Sequence, residues 1–161
     1  WEDITQNIKT IRSLPIKLPV AVTAHIRAEV VMPRDEFEKL NTERAITWEP
    51  IFANPRNACG GSLRQLDPAI TAARWLEVYP YDILILEWVE MPILQSEIID
   101  MLMTWWFKSC PWTKQCQTIN EVIQTCMDPQ TKNWFDDQQI EFDGIVIKVQ
   151  SMNQCELLWQ T

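Results

Sequence analysis

The segment from Asn54 to Asp67 constrains this chain more than any other part of the sequence. It contains two of the chain's three glycines, and Arg56 and Arg64 lie eight residues apart within it. Glycine reaches backbone angles that other residues avoid, and serine is a good first residue for a helix. The pattern predicts a Gly-Gly turn that leads into a short helix at Ser62, with amides and arginines suited to a phosphate. A surface loop with solvated arginines is the alternative.

The same segment resembles the signature loop of the adenylation domain of NAD-dependent, bacterial-type DNA ligases, with Cys59 and Gly60 in place of two alanines. Other segments resemble motifs of this family in the same order along the chain. They are residues 2–15 (the helix after the nucleotide-binding loop), 26–33 (nucleotidyltransferase motif III) and 142–149 (motif IV). The similarity covers nearly the whole chain and is loose between about 84 and 139.

The resemblance implies an α+β nucleotidyltransferase (adenylation-domain) fold, with mixed or antiparallel sheets flanked by helices. It implies that residues 1–161 are a partial adenylation domain, with no OB, zinc-finger, helix-hairpin-helix or BRCT domain. Hydrophobic spacing agrees with an α+β class. It predicts helices at 4–11, 34–46, 68–74, 95–108, 119–127 and 153–158, strands at 23–32 and 76–87, and a buried strand at 142–149.

The resemblance also implies a reaction, which serves DNA replication and repair. AMP passes from NAD to a lysine in a Lys-x-Asp-Gly motif, then to a 5′-phosphate of nicked DNA, with Mg²⁺ as the metal. No Lys-x-Asp-Gly motif occurs in this chain. We therefore expect the chain alone to be inactive and to lack the N-terminal part of the domain that carries the lysine.

Three residues match family positions that contact the nucleotide. Glu29 matches the glutamate that contacts the ribose, Tyr81 the aromatic residue that stacks on adenine, and Lys148 the motif IV lysine. An exposed strand glutamate and a packed aromatic are the alternatives for the first two. Lys148 interrupts an apolar run, so its ammonium must reach solvent or meet an anion.

Three further residues match positions near phosphate. Arg56 and Arg64 match arginines that contact DNA phosphates and the 5′-phosphate end, a role that suits the guanidinium group. Asp143 matches the acid that supports Mg²⁺ or positions the reacting lysine, and a plain Asp-Gly turn is its alternative. Where the family places an arginine before motif IV, this chain has Trp134 and Phe135, which puts part of the DNA-contacting surface in doubt.

Composition restricts the other readings. A net charge of −8 argues against a stand-alone DNA binder. Five cysteines without C-x-x-C spacing indicate reduced thiols rather than disulfides or a zinc ribbon. Neither a signal peptide nor a membrane span is visible, so we expect a protein of the cytoplasm, in a bacterium or an organelle of bacterial descent.

Nine tryptophans against three glycines are unusual, and Trp1 and Trp159 fall where the family has glycine. This balance favours an alternative function: a catalytically dead, divergent nucleotidyltransferase-like module that serves as a structural or protein-interaction subunit. Its protein partner would bind a Trp-rich surface. A third reading, an RNA ligase or capping-type relative, is weaker because the segment from Asn54 to Asp67 is characteristic of the NAD-dependent group.

Overall fold

The computed structural model describes residues 2–159, and its fold is α+β, as the sequence predicted. Eight helices and one antiparallel two-stranded sheet occur within that range. In chain order the elements are α1 (Thr5–Ile8), β1 (Thr23–Val31), α2 (Arg34–Ile46), α3 (Pro55–Leu63), α4 (Pro68–Ala72), β2 (Glu77–Glu87), α5 (Gln95–Thr104), α6 (Ile119–Met127), α7 (Pro129–Asp136) and α8 (Met152–Trp159).

The chain divides into two compact units. The helical unit comprises residues 1–10, 31–75 and 111–145, and it contains α1 to α4, α6 and α7. The sheet unit comprises residues 11–30, 76–110 and 146–161, and it contains nearly all of the sheet together with α5 and α8.

The core of the sheet unit lies between β2 and α5. Ile98, Leu102 and Trp105 recur at spacings of four and three residues, so they share one side of α5. They pack with Ile83 of β2, and all four side chains are at most 3% exposed. Burying a large apolar side chain contributes about 1.5–3 kcal/mol. This cluster therefore fixes α5 relative to β2.

The segment predicted as a Gly-Gly turn is a helix, α3. Asn54 caps it, since its side-chain oxygen accepts a hydrogen bond from the amide of Asn57 at 2.8 Å, and Pro55 is the first helical residue. Gly60 and Gly61 lie inside this helix, and neither has a positive φ. The prediction of a Gly-Gly turn was wrong because Asn54 and Pro55 start a helix before the glycines, and the helix continues through them.

Gly61 is needed for the close approach of Phe52. A Cβ at position 61 would lie 2.9 Å from Phe52 Cε1, whereas a Cβ at Gly60 would meet nothing within 4 Å. Asn41 fixes Phe52: its Oδ1 accepts from the Phe52 amide at 2.8 Å, and its Nδ2 donates to the Phe52 carbonyl at 2.9 Å. The open side of α3 at Gly61 therefore receives the phenyl ring.

The buried strand predicted at 142–149 is absent. Residues 141–149 form no regular element, and Val146 and Ile147 are 82% and 61% exposed. A strand requires a neighbour for its backbone hydrogen bonds. Within residues 2–159 the sheet consists of β1 and β2 alone. The prediction was wrong because apolar sequence does not supply that neighbour.

This segment is anchored where it joins α8. An antiparallel bridge links Ser151 to Leu94, and the Gln150 carbonyl accepts a hydrogen bond from the Gln95 amide at 2.8 Å. The Met152 amide donates to the Ile93 carbonyl at 3.0 Å. Residues 150–152 are thus tied to the start of α5.

The remaining elements agree largely with the sequence. The predicted strands at 23–32 and 76–87 occur as β1 and β2, and α2 and α6 have the predicted bounds. The helices predicted at 4–11 and 95–108 are shorter, since α1 ends at Ile8 and α5 at Thr104. Sequence reasoning missed α7, although Asp128 caps it by accepting a hydrogen bond from the Gln130 amide at 3.0 Å.

Three tryptophans occupy a backbone conformation that favours glycine. Trp48, Trp88 and Trp106 have φ values of 59°, 75° and 69°, and within residues 2–159 no other residue, glycine included, was found with positive φ. Their side chains are 95%, 83% and 67% exposed. A left-handed conformation costs an L-residue about 1–2 kcal/mol. Because the rings are mostly exposed, their packing energy offsets little of that cost. Trp1, which falls where the family has glycine, lies outside the described residues.

Two of these tryptophans end helices in the same way. Trp48 follows the C-cap of α2, and Trp106 follows that of α5. The Glu49 amide donates to the Arg44 carbonyl at 2.8 Å, and the Phe107 amide donates to the Leu102 carbonyl at 3.2 Å. Each tryptophan amide also donates to the carbonyl three residues before it, Trp48 to Ala45 at 3.3 Å and Trp106 to Met103 at 3.0 Å. The two hydrogen bonds together form the Schellman ending of a helix, in which glycine is the usual residue.

Candidate functional site

The Lys148 side chain ends among oxygen atoms of the sheet unit. Its Nζ donates to the Tyr81 carbonyl at 3.1 Å and to Gln95 Oε1 at 3.3 Å, and it lies 3.5 Å from Asp82 Oδ2. The same Nζ lies 4.9 Å from the centroid of the Tyr81 ring, which is a cation–π distance. Asp82 is therefore the anion that a lysine in an apolar run was expected to meet.

Secondary structure brings these residues together from distant parts of the sequence. Tyr81 and Asp82 are neighbours on β2, and Gln95 is the first residue of α5. Gln95 Nε2 also donates to the Tyr81 carbonyl, at 2.9 Å. The Tyr81 side chain is 38% exposed, so part of it remains open beside the ammonium. This arrangement offers a ligand an aromatic surface and a positive charge at one place.

Asp82 and Gln95 were not predicted from the sequence. Asp82 could have been found by the same reasoning as Lys148, since it is a charged residue inside an otherwise apolar strand. Its side chain is 17% exposed. A buried charge usually has a partner, so the two interruptions together indicated a pair. Gln95 gave no comparable signal, because a polar first residue is common in helices.

Glu29 lies on β1 in the sheet unit. Its side chain is exposed, as are those of His25 and Arg27, whereas Ala24 and Ile26 face the core. Within residues 2–159 we found no hydrogen bond or ion pair of Glu29. The structure therefore places it on a polar strand face, and within residues 2–159 no hydrogen bond or ion pair was found that joins it to Tyr81 or Lys148.

Arg56 and Arg64 lie at opposite ends of α3 in the helical unit, about 12 Å apart along the axis. Each guanidinium pairs with a carboxylate: Arg56 Nη1 with Asp143 Oδ2, and Arg64 Nε with Glu2 Oε2, both at 2.8 Å. All four side chains are more than 65% exposed. Exposed pairs of this kind break readily, so both arginines are accessible to another anion.

Asp143, the predicted candidate for a magnesium ligand, is the partner of Arg56. Among residues 2–159 no group of three or more His, Cys, Asp or Glu side chains is placed to bind a metal ion. Since Mg²⁺ is often held by one or two carboxylates together with phosphate oxygens, the role of Asp143 as a magnesium ligand stays a prediction. None of the five cysteines forms a disulfide.

Trp134 and Phe135, which stand where the family has an arginine, belong to an aromatic cluster of the helical unit. Phe135 packs against Trp112 and Phe142, with ring centroids 5.2 and 4.9 Å apart, and Trp134 lies 5.2 Å from Phe135. This cluster fixes Phe142, the residue before Asp143. The two residues thus supply packing where the family places a charge.

A second charged cluster lies in the sheet unit. Glu77 Oε2 accepts hydrogen bonds from the Tyr79 hydroxyl at 2.5 Å and from Lys108 Nζ at 2.7 Å. Burial raises the pKa of Glu77, but the hydrogen bonds from Lys108 and Tyr79 outweigh it and hold the pKa below its ordinary value. Burial also lowers the pKa of Lys108, and the bonds to Glu77 and Tyr79 reverse this, leaving it raised.

Comparison with known proteins identifies similar sequences. The family profile described as "NAD-dependent DNA ligase adenylation domain" matches residues 1–161. A DNA ligase of Bacillus velezensis is 47% identical over 161 residues, which are 99% of this chain and 24% of that protein. One of Bacillus subtilis (strain 168) is 46% identical over 158 residues, 98% and 23%. One of Thermoanaerobacter sp. (strain X514) is 42% identical over 160 residues, 99% and 24%.

The chain spans about a quarter of the length of these relatives. Similarity at this level along the whole chain does not favour a divergent interaction module. A search of the described residues found no helix long and apolar enough to cross a membrane.

Proposed function

Because this chain belongs to the family of NAD-dependent DNA ligase adenylation domains, we propose that it forms part of such a domain, with the nucleotidyltransferase fold. All 161 residues are assigned to that domain, and none to an OB, zinc-finger, helix-hairpin-helix or BRCT domain. The parent enzyme transfers AMP from NAD to its lysine, then to a DNA 5′-phosphate, and seals the nick. It works in the bacterial cytoplasm, in keeping with the bacterial relatives.

The contact between Lys148 and Tyr81 is the observation that carries this proposal. The adenine of NAD or AMP stacks on the exposed part of the Tyr81 ring, and the Lys148 ammonium binds an oxygen of the nucleotide. Glu29, exposed on β1 of the same unit, accepts hydrogen bonds from the ribose hydroxyls.

The helical unit supplies the contacts to nicked DNA. A phosphate oxygen replaces the Asp143 carboxylate on Arg56 and the Glu2 carboxylate on Arg64. The proposed reaction also uses Mg²⁺, and Asp143 is this chain's predicted candidate for supporting that ion or positioning the reacting lysine. Because Lys-x-Asp-Gly is absent from the sequence, the nucleophile belongs to another part of the enzyme.

Calorimetry with AMP and with NAD tests the nucleotide site. The chain should bind both, and Lys148→Ala should weaken binding about 10-fold or more, since it removes a charged hydrogen-bond donor. Lys17→Ala, an exposed lysine of the same unit, is the matched control and should bind as the unmodified chain does. No heat of binding with either nucleotide would contradict the proposal and leave the structural-module alternative.

Two further measurements test the other parts. Fluorescence anisotropy with a nicked duplex should show weaker binding for Arg56→Ala and Arg64→Ala, and no change for the exposed control Lys132→Ala.

Incubation with NAD labelled in its AMP moiety should leave the chain unlabelled. Covalent labelling would contradict the assignment of the nucleophile to another part of the enzyme.

A further inference from the structure

We propose that Gln95 is a positioning residue for Lys148, an inference that rests on the proposed nucleotide site. Both ends of its side-chain amide are engaged. Nε2 donates to the Tyr81 carbonyl at 2.9 Å, and Oε1 accepts from Lys148 Nζ at 3.3 Å. Lys148 Nζ donates to the same Tyr81 carbonyl at 3.1 Å. The three groups form a closed set of hydrogen bonds.

This set fixes which end of the amide faces the lysine. A primary amide has an acceptor oxygen and a donor nitrogen. Since the Tyr81 carbonyl can only accept, the nitrogen of Gln95 faces it and the oxygen faces the ammonium. Asp82 attracts the Lys148 ammonium by its charge from 3.5 Å. Gln95 accepts a directed hydrogen bond and so sets the orientation of the ammonium.

The position of Gln95 is itself fixed by the fold. Its amide donates to the Gln150 carbonyl at 2.8 Å, and it begins the helix whose residues Ile98 and Leu102 are buried in the core. Two of the three donors of the Lys148 ammonium are used by Tyr81 and Gln95. The remaining donor is directed by those two bonds and has Asp82 Oδ2 near it at 3.5 Å, which is longer than an ordinary hydrogen bond, so an oxygen of the nucleotide can take its place.

The test uses Gln95→Met, which keeps the length of the side chain and removes both polar ends. Gln95→Glu keeps an acceptor for Lys148, and Gln154→Met, an exposed glutamine of the same unit, is the control. NMR of the lysine ε-methylene groups reports on Lys148 without a ligand, because the Tyr81 ring shifts signals beside its face. The Lys148 signal, assigned by its loss in Lys148→Arg, should move toward the position of a free lysine in Gln95→Met.

Calorimetry with AMP gives the second result. We expect Gln95→Met to weaken binding about 3- to 10-fold, the effect of one lost hydrogen bond. Gln95→Glu should recover part of this loss, and circular dichroism should show all variants folded. An unchanged Lys148 signal and unchanged affinity in Gln95→Met would overturn the proposal. If the unmodified chain binds no AMP, the proposed function fails, and the NMR signal alone decides whether Gln95 positions Lys148.

A different observation carries a second inference. Trp48, Trp88 and Trp106 were the non-glycine residues found at positive φ within residues 2–159, and none of the three glycines has positive φ. Two of these tryptophans end helices in Schellman turns, and all three rings are mostly exposed. Neither packing nor backbone geometry calls for tryptophan at these places, and the geometry calls for glycine.

We infer that these three positions carry glycine in the protein as its own cell makes it. A cell that decodes as glycine a codon read elsewhere as tryptophan would produce this pattern. Mass spectrometry of peptides from the protein isolated from that cell tests the inference directly. Peptides containing positions 48, 88 and 106 should have the masses of glycine peptides, and tryptophan masses would overturn it.

Discussion

The Lys148 ammonium lies 4.9 Å from the centroid of the Tyr81 ring, although 67 residues separate the two in sequence. In the proposed nucleotide site, the lysine and the ring therefore act on the same ligand. If adenine stacks there, Tyr81→Leu should weaken AMP binding about 10-fold, because base stacking on an aromatic side chain contributes about 1–3 kcal/mol. Tyr81→Phe keeps the ring and should retain most of the affinity. Calorimetry decides, and equal binding by the leucine and phenylalanine variants would exclude stacking.

The Arg56–Asp143 pair gives a prediction for DNA. Asp143→Asn removes the carboxylate that competes with phosphate for Arg56. The variant should bind a nicked duplex about 2- to 5-fold more tightly at low salt, in line with the modest strength of an exposed ion pair. Anisotropy titrations at two salt concentrations measure the change. Arg56→Ala combined with Asp143→Asn is the control, and the gain should be absent from it.

The tryptophans at positive φ predict an increase in stability. Trp48→Gly and Trp106→Gly should each raise the free energy of unfolding by about 1 kcal/mol, because the left-handed conformation no longer carries a penalty. Trp75→Gly is the control. Trp75 is 51% exposed and lacks positive φ, so glycine there should stabilise nothing. Urea unfolding gives the values, and a loss of stability in both test variants would show that the rings contribute more than the strain costs.

The two glycines of α3 should respond in opposite ways to alanine. Gly60→Ala should stabilise the helix by about 0.5–1 kcal/mol, since its Cβ enters open space. Gly61→Ala places a Cβ 2.9 Å from the Phe52 ring, and overpacking of this kind costs about 1–3 kcal/mol. We expect a net loss there. Thermal unfolding of the pair measures the difference, and equal stabilisation by both would show that Phe52 moves freely.

The Glu77 cluster predicts how stability depends on pH. A carboxyl whose pKa is lowered on folding stabilises the protein above its unfolded-state pKa, near 4.5, and this contribution is lost as pH falls through the lowered value. Lys108 has a raised pKa, so its contribution is present below its ordinary value of 10.5 and is lost as pH rises through the folded value. Stability should therefore be highest between these limits.

Glu77→Gln tests this dependence. The variant should be less stable than the unmodified chain at pH 7, and the difference should shrink as pH falls below about 4.5. Glu156→Gln, an exposed residue of α8, should follow the unmodified chain throughout. Urea midpoints measured from pH 3 to pH 8 make the comparison. A constant difference across that range would exclude the linkage.

Local signals in the sequence were enough for most elements. The Asp67-Pro68 start and the apolar spacing of residues 34–46 and 119–127 predict helices that the structure contains. Gly60 and Gly61 led to the wrong prediction of a turn, because glycine permits a turn without requiring one. The prediction of a strand at 142–149 was wrong for a related reason. The sequence of a segment does not show whether a neighbouring strand is present to pair with it.

The candidate site was predictable residue by residue but not as an arrangement. Tyr81 and Lys148 were identified separately, and their contact depends on the packing of α5 against β2. Gln95 could not be predicted for the same reason, because its role depends on which residues lie near it in the folded chain and not on a local sequence pattern. The pairing of Arg56 with Asp143 likewise joins two predicted residues that are 87 positions apart.

The antiparallel bridge between Leu94 and Ser151 limits how far Lys148 can travel. Lys148 lies three positions before Ser151, and an extended chain spans at most about 11 Å over that length. If a ligand breaks every contact of the ammonium, the lysine stays on this short tether beside Tyr81. Its effective concentration beside Tyr81 remains high, so in the proposed nucleotide site the lysine can exchange one ligand for the next without any opening of the sheet unit.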